Sequence, residues 1–168
     1  MCQGEKMNTG INSILCCVSL HRDSRAVLEY AAKLAIATGA RLCVLHTVKA
    51  LDDDVMNTLK ANIRNQDTLS DLMQQRLDQA RQQIDAKLEA FWENHPQEKQ
   101  ELGGQAIQVE VLEGYPAAVI VQEATRRGVD MIVMATNKRG FSASYAGKIT
   151  KGVIKRAHVP VVVVPPPA

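Results

Sequence analysis

Four short, nearly unbroken apolar runs constrain what this chain can fold into more than any other feature. They are Ile14–Leu20, Arg41–Val48, Met131–Ala135 and Pro160–Val164. A strand with one wet face alternates apolar and polar residues. A continuous run implies cover on both faces, as in a parallel sheet held between two layers of helices. Ala106–Leu112 reads differently, because Ile107, Val109 and Val111 alternate with Gln108 and Glu110. That period predicts a strand with one exposed face, most simply at an edge.

Helical patterns separate these runs. Asp23 or Ser24 can cap a helix whose apolar face is Val27, Leu28, Ala31, Leu34 and Ala35, closed by Gly39. Between Met56 and Trp92 a polar stretch carries one apolar stripe from Leu69 to Phe91 at spacings of three and four. It predicts one long helix, or two broken near residues 65–68. Pro116–Arg127 starts with proline and stops at Gly128, and Ala146–Ala157 stops before Pro160. The alternation predicts right-handed crossovers and an α/β three-layer sandwich, a five-stranded parallel sheet with helices on both faces. With 168 residues, one domain is expected, with residues 1–12 as an extension and 165–168 as a short tail.

Composition excludes several classes. The chain is 46 % hydrophobic and 23 % charged, as in ordinary globular domains, so disordered and fibrous classes fall away. No apolar run reaches the ~18 residues that span a bilayer, so no membrane role is expected. Residues 1–12 carry no signal-like apolar stretch, which predicts a cytoplasmic protein with reduced cysteines. Net charge is only +2, but it is unevenly spread. Leu51–Glu101 holds eleven acids against six bases, whereas Met131–Pro160 holds six bases and no acid. A cationic surface in the C-terminal third follows: either a solvated helix face or an anion site.

In open parallel sheets, ligands bind beyond the carboxyl ends of the strands, where strand order reverses. The loops at those ends are Val18–Arg22, Thr47–Leu51, Gly114–Pro116 and Thr136–Gly147. The last joins glycine, serine and cations to a helix start, the combination that offers main-chain amides to a phosphate. It is not a Walker loop, since Ile149 follows Gly147-Lys148, and no G-x-G-x-x-G follows the first strand.

Single residues read plainly. His46 is expected as a packed, hydrogen-bonded histidine that can also wall the crevice. Cys16 and Cys17, adjacent on a strand, point to opposite faces and serve as small apolar residues, as does Cys43. His21, His95 and His158 lack ligand spacing, so no metal site is expected. Ser142 and Ser144 have no histidine or nucleophile elbow beside them, and no catalytic residue is nominated. Asp52–Asp54 suit an acidic first helical turn, and Asp130 a cap or turn.

From Ile14 to Pro165 the chain resembles the universal stress proteins. The resemblance rests on Val129–Thr136, on Gly114-Tyr115-Pro116 leading into a helix, on Leu42–Val48 with Leu45-His46 near its end, and on Lys155–Val164. It implies a Rossmann-like fold of the adenine-nucleotide hydrolase type. ATP-binding relatives carry G-x2-G-x9-G-[ST] after the fourth strand. Here Ala135 and Lys138 stand at the first two glycines. Gly147 fits the third if the loop is one residue shorter, and Lys148 replaces the hydroxyl residue. Ser19 stands where those relatives usually have an aspartate.

A lysine side chain restricts the backbone where glycine lets it approach phosphate, so the usual triphosphate pose should be lost. The resemblance therefore implies a non-enzymatic stress-response protein, with no required cofactor and at most weak binding of ATP, AMP or another anion. The candidate ligand residues are Val18, Ser19, Thr47, Ala135, Lys138, Arg139, Gly140, Gly147, Lys148 and Ile149. The alternative is a nucleotide-dependent signalling module that binds ATP or AMP. The resemblance also implies a homodimer through the last strand, at Val161, Val162, Val163 and Val164, and leaves room for protein partners. Nucleic-acid binding is not expected, because only Phe141 and Tyr145 lie near the basic face.

Overall fold

The computed structural model describes residues 10–20, 24–103, 107–136 and 147–165. Its elements run in the order β1 (Ser13–Cys17), α1 (Arg25–Thr38), β2 (Arg41–Lys49), α2 (Asp53–Asn62), α3 (Gln66–Asn94) and α4 (Pro96–Glu101). They continue with β3 (Gln108–Gly114), α5 (Pro116–Arg127), β4 (Met131–Ala135), α6 (Lys148–Arg156) and β5 (Val161–Val164). The five strands form one parallel sheet in the order β3-β2-β1-β4-β5. The alternating strand is indeed an edge, and the valine strand is the other.

The continuous apolar runs are explained by two cores. On one face Ile14, Cys16, Leu42 and Val44 meet α1 through Val27, Leu28 and Ala31, and α3 through Ile84, Leu88 and Phe91. On the other, Leu15, Cys43, Leu45 and Ile132 meet Ile120 and Ala124 of α5 and Val153 of α6. Adjacent strand residues thus feed opposite cores, and Cys16 and Cys17 face opposite sides of the sheet as their neighbour spacing requires. Gly39 and Gly128 end α1 and α5 at φ +73° and +62°, the left-handed conformation that glycine adopts without steric cost.

Boundaries differ from the sequence reading in three places. The long polar stretch is two helices, the second of the two expected arrangements, but parted at residues 63–65 rather than 65–68, where the Asn65 side chain accepts the Asp67 amide at 2.9 Å and starts α3. The short α4, opened by Pro96, was not expected. The first strand ends at Cys17 rather than Leu20, because the chain turns there toward α1. Asp130 is a turn residue as anticipated: its carboxylate accepts the amides of Asn12 at 2.8 Å and Ser13 at 3.1 Å. The first turn of α2 holds Asp53 and Asp54.

Crossing directions reverse between β1 and β4, because β2 and β3 extend to one side of β1, and β4 and β5 to the other. The carboxyl ends of β1 and β4 therefore part, and a crevice opens between them.

Candidate functional site

The crevice has a volume of about 150 Å³. Its walls are mainly apolar. Cys17 and Val18 come from β1 and the turn after it, Leu45 to Thr47 from β2, and Met134 to Thr136 from β4 and the residue beyond it. Pro116 and Ile120 of α5 and Ile149 and Thr150 of α6 close the far side, with Val27 of α1 and Ser24 at its cap.

Several polar groups of the wall are positioned by specific bonds. Val18 donates its amide to the Leu45 carbonyl at 2.9 Å, continuing the β1–β2 ladder past the strand. His46 is 7 % exposed, with Nδ1 at 2.9 Å from the Val18 carbonyl. A carbonyl only accepts, so Nδ1 carries the proton in this contact. Ser24 does not cap α1 with its side chain. Its hydroxyl instead donates to the Ser19 carbonyl at 3.0 Å and accepts the Ser19 amide at 3.3 Å, closing the turn on itself. Lys87 of α3 adds a third bond there, from Nζ to the Ser19 carbonyl at 2.9 Å.

The opposite wall is tied to β5 and α6. Thr136 donates its amide to the Val164 carbonyl at 3.0 Å, and the buried Thr150 hydroxyl lies 3.3 Å from the Ala135 carbonyl. Gly147 precedes α6 with no side chain to cap it, so the positive end of the helix is presented beside the crevice. Burial pushes the Cys17 thiol up to about 12, the neighbouring Cys43 adding to the effect. It is therefore a neutral wall group at physiological pH.

The fold brings together five of the ten candidate ligand residues, Val18, Ser19, Thr47, Ala135 and Ile149, on the crevice wall. Gly147 and the exposed Lys148 lie at the start of α6 next to it without lining it. Lys138, Arg139 and Gly140 lie outside the described residues, as do Ser142, Ser144 and His21. Sequence reasoning missed Ser24, Thr136 and Thr150 as wall groups, and Lys87 as a support. Spacing carries no signal for Lys87, whereas the hydroxyl residues flanking Ala135 and Ile149 were visible. Among the described residues no cluster of three or more histidine, cysteine or acidic groups could hold a metal ion, and no helix is long and apolar enough to cross a membrane.

The sequence profile of the universal stress protein family matches residues 10–165. The chain belongs to the universal stress protein family. A curated universal stress protein of Methanocaldococcus jannaschii is 45 % identical over 65 residues, a match spanning 38 % of each chain. The structure resembles the universal stress protein UspA from Lactobacillus plantarum, with a TM-score of 0.65 at 20 % identity over 91 % of this chain and 97 % of that one. It also resembles a universal stress protein crystallised in complex with cAMP, with a TM-score of 0.55 at 16 % identity over 92 % and 96 % of the two chains. The doubly wound parallel sheet is thus the fold of this family.

Proposed function

We propose that this universal stress protein is a non-enzymatic ligand-binding member. In this reading the crevice takes the ring of an adenine nucleotide weakly and does not seat a triphosphate tightly. The observation that carries the reading is the crevice itself, a mainly apolar slot at the reversal of strand order, with the positive end of α6 beside it. A family relative of the same fold holds cAMP, which supports the ligand class.

Two features argue against tight ATP binding. Ala135 stands at a position where ATP-binding relatives carry glycine, and Lys148 removes a hydroxyl donor at the start of α6. A hydrogen bond to a charged group contributes about 1.5–3 kcal/mol, and a point-charged lysine does not restore its geometry. The case against catalysis rests on the wall chemistry: no carboxylate lines the crevice among the described residues, and the His46 Nδ1 is committed to the Val18 carbonyl. Action in the cytoplasm, and through protein partners, belongs to the same proposal.

The last strand is the proposed dimer contact. β5 is an edge, its Val161, Val162 and Val163 are only half-buried, and an apolar β-branched edge is a pairing hazard that a second copy would cover. Native mass spectrometry of the purified full chain tests both parts. The reading expects a dimer without retained ATP, reduced to monomer by Val162→Lys. Stoichiometric ATP retained through purification would overturn the ligand part, and a monomeric wild type the dimer part.

A further inference from the structure

A second depression opens where α3 gives way to α4, at the far end of the sheet from the crevice. Arg76 of α3 meets Glu113 at the carboxyl end of β3, and Glu93 lies ~25 Å further along the helix. The groove there has a volume of about 630 Å³ and is lined by Glu89, Trp92, Glu93, Pro96, Lys99 and Gln100.

Its floor is set by an aromatic stack. Trp92 is 8 % exposed and packs edge-on against Phe91, with ring centroids 4.9 Å apart. Phe91 stacks in turn on His95 at 4.1 Å, and the His95 Nδ1 lies 2.9 Å from the Phe91 carbonyl, which holds the turn into α4. The indole N–H of Trp92 donates to no group among the described residues. A largely covered donor without a protein acceptor is uncommon, and a carbonyl seated in the groove supplies one.

The charge around this floor is unbalanced. Glu89 and Glu93 are exposed, stand four residues apart on one helix face, and form no ion pair among the described residues. Like charges at that spacing destabilise a helix. α3 also has no base in its last turn, where its negative end favours one. Residues 85–101 hold five acids and two bases, and one of those bases, Lys87, is turned away to the Ser19 carbonyl. The groove therefore calls for a cation and a hydrogen-bond acceptor together, and a basic peptide carries both.

We propose that the α3–α4 groove docks a basic peptide segment of a partner protein. An arginine or lysine side chain lies between the Glu89 and Glu93 carboxylates, and the Trp92 N–H donates to a main-chain carbonyl of the segment. This surface is separate from the crevice and independent of the nucleotide reading.

Trp92 is the chain's one tryptophan, so its fluorescence, excited beyond the tyrosine absorption, reports on the groove directly. The full chain is titrated at physiological salt with a capped tetra-arginine peptide, with capped tetra-glutamate and spermidine as controls. A saturable change with tetra-arginine alone is expected. Glu89→Gln combined with Glu93→Gln should weaken it by about fivefold or more, as the loss of two exposed ion pairs implies. Asp71→Asn combined with Asp78→Asn removes the same charge about three turns or more earlier on α3, and should leave it unchanged. Without peptide, the groove variant should melt at or above the wild-type temperature, because a repulsive pair is relieved. No saturable change, equal loss in both double variants, or a lower melting temperature for the groove variant overturns the proposal. An equal response to spermidine assigns the groove to small polycations, and an emission change on dilution without peptide assigns it to a second copy; either overturns the peptide. None of these outcomes bears on nucleotide binding in the crevice.

Discussion

Lys87 reaches from the last third of α3 to the turn after β1, where its ammonium group donates to the Ser19 carbonyl at 2.9 Å across 68 residues of sequence. The same carbonyl accepts the Ser24 hydroxyl at 3.0 Å. The turn that forms one corner of the crevice is thus clamped from two sides, once locally and once by a distant helix. Lys87→Met keeps the length of the stem and removes the charge-assisted bond. The half-buried position predicts a loss of about 1–2 kcal/mol in stability. For a chain of this length that corresponds to a fall of roughly 2–8 °C in Tm. Thermal unfolding of the variant checks it, and an unchanged Tm would show that the clamp carries no weight.

Gly152 marks the contact between α5 and α6. A Cβ at this position would lie 2.9 Å from the Ala117 Cβ, and both atoms are anchored directly to backbone. Alanine normally favours a helix over glycine by ~1 kcal/mol, whereas forcing an extra carbon into a packed contact costs ~1–3 kcal/mol. Gly152→Ala should therefore destabilise the protein by about 1 kcal/mol net, despite its better helix propensity. Urea denaturation reads the sign directly, and a stabilised variant would contradict this packing.

Glu123 is the centre of an ion-pair network on α5. Its carboxylate accepts from Arg126 at 2.7 and 2.8 Å and from Arg127 at 3.0 Å, and Arg127 also meets Glu110 at 2.9 Å. The Arg126 bonds come first among the influences that hold the Glu123 carboxyl below its ordinary range. Desolvation opposes them, and Arg127 adds to the lowering. A carboxyl that binds its proton less readily when folded adds stability above its unfolded value of ~4.3 and loses it as pH falls through the lowered folded value. Glu123→Gln should destabilise by about 2 kcal/mol at pH 7, because the largely buried Arg127 loses one of its two carboxylate partners and Arg126 loses its bidentate one. The gap between variant and wild type should shrink below pH ~4. Urea denaturation at pH 7 and pH 3 measures it, and a gap independent of pH would exclude the charge as its cause.

Cys17 combines access and inertness. It lines the crevice, yet burial raises its thiol to about 12, so roughly one molecule in ten thousand is ionised at pH 8. Alkylation by iodoacetamide, followed by peptide mass spectrometry, should be slower at Cys17 than at an unfolded cysteine by orders of magnitude. Rapid labelling at pH 8 would contradict the burial.

The layered fold was legible because the evidence for it is local. Met131–Ala135 and Pro116–Arg127 have the bounds their patterns predict, since an unbroken apolar run and a proline-to-glycine span depend on nearest neighbours alone. The split between α2 and α3 was less visible: it turns on the Asn65 side chain replacing a helical bond, a choice the apolar stripe does not record. The crevice was legible as a place, because strand ends and strand order follow from the alternation. Its wall was legible only in part: Val18, Ser19, Thr47, Ala135 and Ile149 line it, whereas Ser24 and Thr150, and the supporting Lys87, come from separate segments. The buried Thr136 hydroxyl has no hydrogen-bond partner among the described residues, a property of the packed structure of which a lone threonine after a strand gives no sign.

Calorimetric titration of the full chain with ATP and magnesium, alongside AMP, tests the central claim most directly. A crevice that holds the ring, beside a helix start that does not cradle a triphosphate, should bind both weakly, with ATP no tighter than AMP. A low-micromolar Kd for ATP, well below that for AMP, would contradict it.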